Sequence, residues 1–459
     1  MTHKFNPTVL REYDIRGIVG ATLTEADAYA LGRTFAAITR EEGGRRLAVG
    51  RDGRSHSGML EAALVRGLTE GGVDVVLIGM GPSPMLYFAT YYLDVDGGIQ
   101  VTGSHNPADY NGFKLLLKGR SVFGVEIQEI GKRAAAGNWS EGHGTTEEVD
   151  IREAYLNRLL EGFAGRGYRI GWDAGNGAAG PILDMLVERL PGQHHVIFSK
   201  VDGSFPNHHP DPTVEKNLAD LKELVAREQL DFGIAFDGDG DRIGAVDGNG
   251  RVIWGDQLLM ILAEPVLNEL PGATIIADVK ASQTLFDRIA ELGGTPLMWK
   301  TGHSLIKSKM KETGAPLAGE MSGHIFFKHR WYGFDDALYA AVRLIEAVSA
   351  SGRSLTQLRD AMPTAVATPE LRFQVDESRK FAIVEEVRDR LGSDGAKVDA
   401  TDGVRVSTAD GWWLLRASNT QDVLVARAEA SDEAGLGRLV DQIDAQLAKS
   451  GVERTEAVH

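Results

Sequence analysis

The chain has 459 residues, 43% hydrophobic and 25% charged, which leaves room for about three or four domains, each with its own core. No apolar run approaches the roughly 18 residues of a membrane span, and the polar start Met1-Thr2-His3-Lys4 lacks a secretory signal's apolar core, so a cytoplasmic enzyme without a membrane partner is expected. The absence of cysteine excludes disulfides, thiolate metal sites and cysteine nucleophiles, and a net charge of −16 argues against nucleic-acid binding; a small phosphorylated metabolite held by local arginines, lysines and backbone amides fits better than a polymer.

In chain order, one unit recurs three times: a strand, a glycine-rich or polar loop, an amphipathic helix, a second strand, and later a third strand ending in a polar loop. The first copy reads as a strand at 47–50, the loop Arg51-Asp52-Gly53-Arg54, a helix at 59–70, a strand at 73–78 and a third strand at 99–101. The second has strands at 168–173, 195–198 and 232–236, the turn Gly175-Asn176-Gly177 and a helix at 181–190. The third has strands at 274–278, 296–299 and 316–318 and a helix at 283–292. The last segment differs, with strands at 372–375, 403–406, 412–416 and 423–426 and helices at 381–391 and 435–447. The expected fold class is α/β in four domains: three repeated mixed α/β domains with mostly parallel sheets, and a smaller C-terminal α+β domain. Boundaries are expected in the polar stretches around 137–148, 249–251 and 363–369, giving domains at 1–148, 149–250, 251–366 and 367–459.

Open α/β sheets bind ligands outside the carboxyl ends of their strands, so the loops after the three third strands are where chemistry is expected. The most informative is Asp237-Gly238-Asp239-Gly240-Asp241-Arg242. Three hard carboxylates on one surface loop, separated by glycines that let it fold sharply, suit Mg²⁺. Arg242 would serve a phosphate or an orienting carboxylate. An EF-hand is excluded, since its sixth and twelfth positions would be Arg242 and Gly248. In Thr102-Gly103-Ser104-His105-Asn106-Pro107, Ser104 follows a glycine suited to a tight bend and can be a nucleophile or carry a phosphoryl group; an ordinary polar turn is the bland alternative. Lys114, ten residues on, reads by itself as a solvated charge. Gly319-Glu320-Met321-Ser322-Gly323-His324 offers Glu320 and Ser322 to hydroxyls and His324 as a proton carrier, and nothing in it excludes a helix N-terminus. Arg416-Ala417-Ser418-Asn419-Thr420-Gln421 joins two apolar strands as a phosphate cradle or a plain hairpin turn. His208 and His209, next to Pro210, lack supporting ligands and read as structural.

Taken together, 102–107, 237–242, 319–324 and 416–420 occur in the order and spacing of the α-D-phosphohexomutase superfamily. The chain resembles its bacterial phosphomannomutase/phosphoglucomutase branch most closely, through the serine loop followed by Asp109-Tyr110-Asn111-Gly112-Phe113-Lys114, the opening Tyr13-Asp14-Ile15-Arg16-Gly17 and the stretch 300–307. The resemblance implies a heart-shaped molecule around a central cleft, with a mobile fourth domain, expected to be a monomer. It implies that Ser104 is a phosphoserine, that Asp237, Asp239 and Asp241 hold Mg²⁺ against its phosphate, and that Arg416, Ser418, Asn419 and Thr420 hold the non-reacting phosphate. Glu320 and Ser322 would contact sugar hydroxyls, while Arg16, His105, Lys114, Arg242, Lys280, His303 and His324 would line the cleft, Lys114 and His303 nearest the reacting oxygen. The implied reaction moves phosphate between O1 and O6 of glucose or mannose, with glucose 1,6-bisphosphate as intermediate and activator. Related glucosamine mutases usually read GEQSGH where this chain has Met321, which favours glucose and mannose phosphates. Two other readings are a haloacid-dehalogenase-type phosphatase, phosphorylated on an aspartate of 237–241, and a non-catalytic phosphosugar sensor.

Overall fold

The alternating strands and helices assemble into four sheets in the computed structural model, which describes residues 2–393, 396–419 and 422–453. In the first sheet Arg46–Arg51 runs parallel to Asp74–Met80 and to Gly97–Val101, and Gly97–Val101 pairs antiparallel with Tyr110–Leu117. The second repeats the scheme: Tyr168–Asp173 is parallel to Gly192–Ile197 and Phe232–Phe236, and Phe232–Phe236 is antiparallel to Ile243–Asp247. In the third, Thr274–Asp278 is parallel to Thr295–Trp299 and Leu317–Gly319, and Leu317–Gly319 is antiparallel to Ile325–Phe327. Gly97–Val101 and Phe232–Phe236 are buried on both faces, as strands covered by helices on each side must be. The fourth sheet, centred on Gly411–Ala417 and Val423–Ala430, is antiparallel throughout.

This register decides what the polar loops are. Each one turns from a third strand into its antiparallel neighbour, so 319–324 is a hairpin and not a helix start. The loops also meet each other. Arg242 and His324 form an isolated antiparallel bridge, with Ile243 N donating to Gly323 O at 3.0 Å. Ser83 N donates to Asp239 O at 2.8 Å from the first domain, and Ala337 N to Gly240 O at 3.3 Å from the third. The carboxylate loop, expected at a domain surface, is therefore enclosed where three domains join.

Two stretches read as boundaries carry structure. Within 137–148, Trp139 Nε1 donates to Thr34 Oγ1 at 3.0 Å and Thr146–Glu148 extends the first sheet. Within 363–369, Val366–Ala367 already pairs with the fourth sheet.

Candidate active site

The glycines of 237–242 serve two different physical needs. Gly240 has φ +71°, the left-handed region that L residues avoid. At Gly238 a Cβ would lie 2.4 Å from Ser104 O, so that position needs hydrogen for close packing. The sequence reading puts the bend of the serine loop on Gly103, but the left-handed residue is Ser104 itself, at φ +50°. Gly103 is needed because a Cβ there would meet the Arg54 guanidinium at 2.5 Å.

Arg54 is buried and holds that strained loop from within. It donates to the carbonyls of Ser104 and Asn106 at 2.7 Å, Pro107 at 2.5 Å and Tyr110 at 3.0 Å. Asp52 completes the frame, pairing with Arg54 Nε at 3.2 Å and accepting from Thr102 Oγ1 at 2.8 Å and Gly103 N at 3.1 Å. These supports fix Ser104 Oγ 3.1 Å from Asp237 Oδ2 and 3.2 Å from His105 Nδ1. Burial, then Arg242 and Arg16, push His105 well below the usual imidazole range.

Asp237, Asp239 and Asp241 are all fully buried, with ligand atoms within 4.8 Å of one another. Burial, then Asp241 and Asp239, push the Asp237 carboxyl well up. Lys114, read alone as a solvated charge, is buried and bridges the other two, reaching Asp239 Oδ2 at 2.6 Å and Asp241 Oδ2. The two aspartates hold its ammonium charged although burial opposes it. Asp239 Oδ1 and Asp241 Oδ1 still make no hydrogen bond, and Asp241 Oδ1 has only an ionic contact with His324 Nε2 at 3.2 Å. Buried, hard oxygen acceptors left over beside one ammonium fit a divalent cation.

His324 lies between Asp241 and Glu320, whose Oε2 is 3.1 Å from Nδ1, and Ser322 Oγ is 3.0 Å from the same nitrogen. Burial opposes charge on this ring, but the two carboxylates raise it to about 9. With His324 charged, the 3.4 Å approach of Arg242 Nε to Nε2 is a cation–cation contact offset by the carboxylates, and not a hydrogen bond. The His303 ring stacks on His324 with centroids 5.7 Å apart. Arg16 approaches from the first domain, donating to Asn106 Oδ1 at 2.5 Å and pairing with Asp14.

A second group gathers around Arg416. This buried guanidinium donates to Asp402 Oδ2 at 2.9 Å, and the same oxygen accepts from Thr301 N at 3.1 Å. Thr301 Oγ1 donates to Asp278 Oδ2 at 3.1 Å, and Gly302 N donates to Glu320 Oε1 at 2.5 Å, so 301–303 ties this group to the 319–324 hairpin. Asn419 Nδ2 donates to Tyr13 Oη at 2.6 Å, and Tyr13 Oη donates to Thr301 O at 2.8 Å, joining domains one, three and four. Ser418 N donates to Val423 O at 3.0 Å, while Thr420 lies outside the described residues. Lys280 pairs with Glu370 at 3.4 Å and approaches Asp278 at 4.0 Å, apart from the carboxylate triad.

Four family models for phosphoglucomutase/phosphomannomutase match in series: alpha/beta/alpha domain I at 7–140, II at 153–250, III at 254–366 and the C-terminal domain at 370–446. The chain belongs to the phosphoglucomutase/phosphomannomutase family. It is therefore an enzyme of the α-D-phosphohexomutase superfamily. It is 46% identical to a phosphomannomutase/phosphoglucomutase of Pseudomonas aeruginosa over 434 residues, 94% of each chain, and 44% identical to a phosphoglucomutase of Neisseria gonorrhoeae over 444 residues, 96% of each. A crystal structure of a family protein from Burkholderia thailandensis superposes with a TM-score of 0.93 at 44% identity, covering 98% of this chain and 99% of that one. No helix among the described residues of this family member is long and apolar enough to cross a membrane.

Sequence reasoning missed Arg54, Asp335, Asp402 and Ser83. Ser83 Oγ donates to Asp239, and Asp335 is a fully buried carboxylate beside both stacked histidines. The pair Asp335-Asp336 in an otherwise apolar run was a signal that some ionic need lay there.

Proposed function

We propose that the enzyme reversibly moves phosphate between O1 and O6 of glucose and of mannose through phosphorylated Ser104 and a hexose 1,6-bisphosphate. The observation that carries this is Ser104 Oγ at 3.1 Å from a carboxylate of a fully buried three-aspartate group. Mg²⁺ on Asp237, Asp239 and Asp241 would, when bound, offset their charge and draw electron density from the serine oxygen.

The chain's own residues supply the rest. Arg54 and Asp52 hold Ser104 in its left-handed conformation, so the oxygen is aimed before substrate arrives. Lys114, Arg242, Arg16 and His105 surround the transferred group with donors that match its three equatorial oxygens. In the first half-reaction the hexose O6–H bond breaks as O6 bonds to phosphorus, and the electrons of the Ser104 Oγ–P bond return to Oγ. The hydroxyl proton goes to the stacked pair His303 and His324, to the neutral His303 directly or to His324 once that ring has released the proton it already carries, while Lys114 stays charged. The bisphosphate then turns end over end, so that its other phosphate faces Ser104. Glu320 and Ser322 hold hydroxyls common to both poses, Lys280 lines the same cleft, and Arg416, Ser418, Asn419 and Thr420 hold the idle phosphate.

The same proposal takes small phosphosugars as the substrates and the enzyme as a cytoplasmic monomer, a reading supported by the family's substrates for the first part and by the sequence expectation alone for the second. A coupled assay following glucose 1-phosphate to glucose 6-phosphate, run beside mannose 1-phosphate, tests the reading. Turnover of both with a requirement for Mg²⁺ is expected; turnover of neither removes it.

A further inference from the structure

The turn at 400–403 in the fourth domain lies directly on Arg416. Strand Val404–Ser407 pairs antiparallel with Gly411–Ala417, with Val404 opposite Leu415, which carries the preceding residues over the end of that strand. Gly403 has φ +86°, and a Cβ there would lie 2.4 Å from Leu415 O and 2.7 Å from Arg416 Cβ, so the chain passes close enough for its neighbour Asp402 to reach the guanidinium. Asp402 Oδ2 accepts from Arg416 Nε at 2.9 Å. The same oxygen accepts from Thr301 N at 3.1 Å, so the third domain holds the carboxylate from the other side.

Which nitrogen Asp402 takes is informative. A guanidinium offers Nε and two Nη in one plane, and an acceptor on Nε alone fixes that plane while leaving the Nη edge complete. A carboxylate standing in the place of a bound phosphate would instead engage two donors at once, as bidentate pairs do. Neither Nη of Arg416 donates within the described residues and neither is enclosed, although the residue as a whole is only 5% exposed. Tyr13 and Asp278 also act on this guanidinium, but Tyr13 Oη is bonded to Asn419 and Thr301 O, and Asp278 Oδ2 to Thr301 Oγ1. A free arginine side chain gives up much rotamer freedom on binding, and one already held through Nε gives up less.

We propose that Asp402 is a positioning residue: it holds Arg416 through Nε, turns the Nη edge toward the phosphate of the sugar, and so sets phosphate affinity without touching the substrate. The proposal rests on the reading of Arg416 as an anchor of the idle phosphate.

The test combines steady-state kinetics of the full-length protein on glucose 1-phosphate and mannose 1-phosphate with NMR of ¹⁵N-arginine-labelled protein. Asp402→Ala should raise KM about 10- to 30-fold, by the same factor for both sugars because the phosphate is common to them, with kcat within about 3-fold. Asp402→Asn keeps an oxygen acceptor for Nε and should hold KM within about 5-fold of wild type. In an Arg416→Lys background, which has no Nε–H to hold, adding Asp402→Ala should raise KM by less than about 2-fold, whereas a merely loosened turn would act in both backgrounds. The Arg416 Nε–H resonance, assigned by its loss in Arg416→Lys, should exchange slowly with solvent in the wild type, stay slow when glucose 1-phosphate is added, and exchange fast in Asp402→Ala. An unchanged or lowered KM in Asp402→Ala, a loss confined to one sugar, an equal loss in the Arg416→Lys background, or release of Nε–H when the sugar phosphate binds overturns the assignment. If Asp402→Ala does not fold, the wild-type Nε–H with and without glucose 1-phosphate decides. A wild type that turns over neither sugar phosphate removes the functional reading and this proposal with it, while a wild type active on both whose KM is unmoved by Asp402→Ala removes the proposal alone.

Discussion

Lys114→Met removes the ammonium that bridges Asp239 and Asp241 and keeps a side chain of similar length. Three fully buried carboxylates would then face one another with that cation gone, and the Asp237 carboxyl is already pushed up by its surroundings. Removing one partner of a buried ion pair costs about 3–5 kcal/mol. A divalent ion at a hundred times its dissociation constant returns about 2.7 kcal/mol. In the wild type that ion has to displace or share with the ammonium, so it gains less there. Unfolding measured in EDTA and in saturating Mg²⁺ should show the variant losing several kcal/mol without metal and recovering more than the wild type with it. A metal-free stability within about 0.5 kcal/mol of wild type, or equal Mg²⁺ stabilisation of both proteins, would refute the reasoning.

Two further predictions address other parts of the molecule. Burial raises the Asp336 carboxyl to about 7, far above its unfolded value, so the folded state keeps this proton after the unfolded chain has lost it; stability is fully present at acid pH and declines as pH rises through 7. Between about pH 6 and pH 8 the wild type should lose about 1.4 kcal/mol from this group, and Asp336→Asn, which still caps the helix, should gain on it by that amount in unfolding experiments at the two pH values. Arg416→Ala should raise KM for both hexose 1-phosphates and increase escape of the bisphosphate, making turnover depend more on added glucose 1,6-bisphosphate; ¹H NMR of the released sugar phosphates measures this, and Mg²⁺ affinity should not change.

The repeated units and their polar loops were legible because strands such as Phe232–Phe236 are uniformly apolar and are followed at once by glycines and carboxylates, a change no buried element tolerates without a purpose. Helix Ala337–Ser351 was not legible. Its buried residues run from Ala337 through Ile345 without a gap, so no 3.6-residue stripe distinguishes it from a strand. Within the site, groups whose chemistry is written in adjacent letters were found, whereas those defined by distant partners were not. Arg54 is one arginine among many until the chain folds it under the carbonyls of 104–110, and Asp335 has meaning only beside Lys307 and His303. The misplaced bend at Gly103 has the same origin. Sequence shows that glycine permits a turn, but only the packed Arg54 shows that the missing Cβ is what mattered.

The central claim is that Ser104 carries the phosphoryl group. Incubating the protein with glucose 1,6-bisphosphate, mapping the phosphate by mass spectrometry and then chasing with glucose 1-phosphate tests it most directly. The account predicts one acid-stable phosphate on Ser104 that leaves on the chase, and none in Ser104→Ala, whose turnover falls by several orders of magnitude. An acid-labile phosphate on Asp237, Asp239 or Asp241, or full activity in Ser104→Ala, would contradict it.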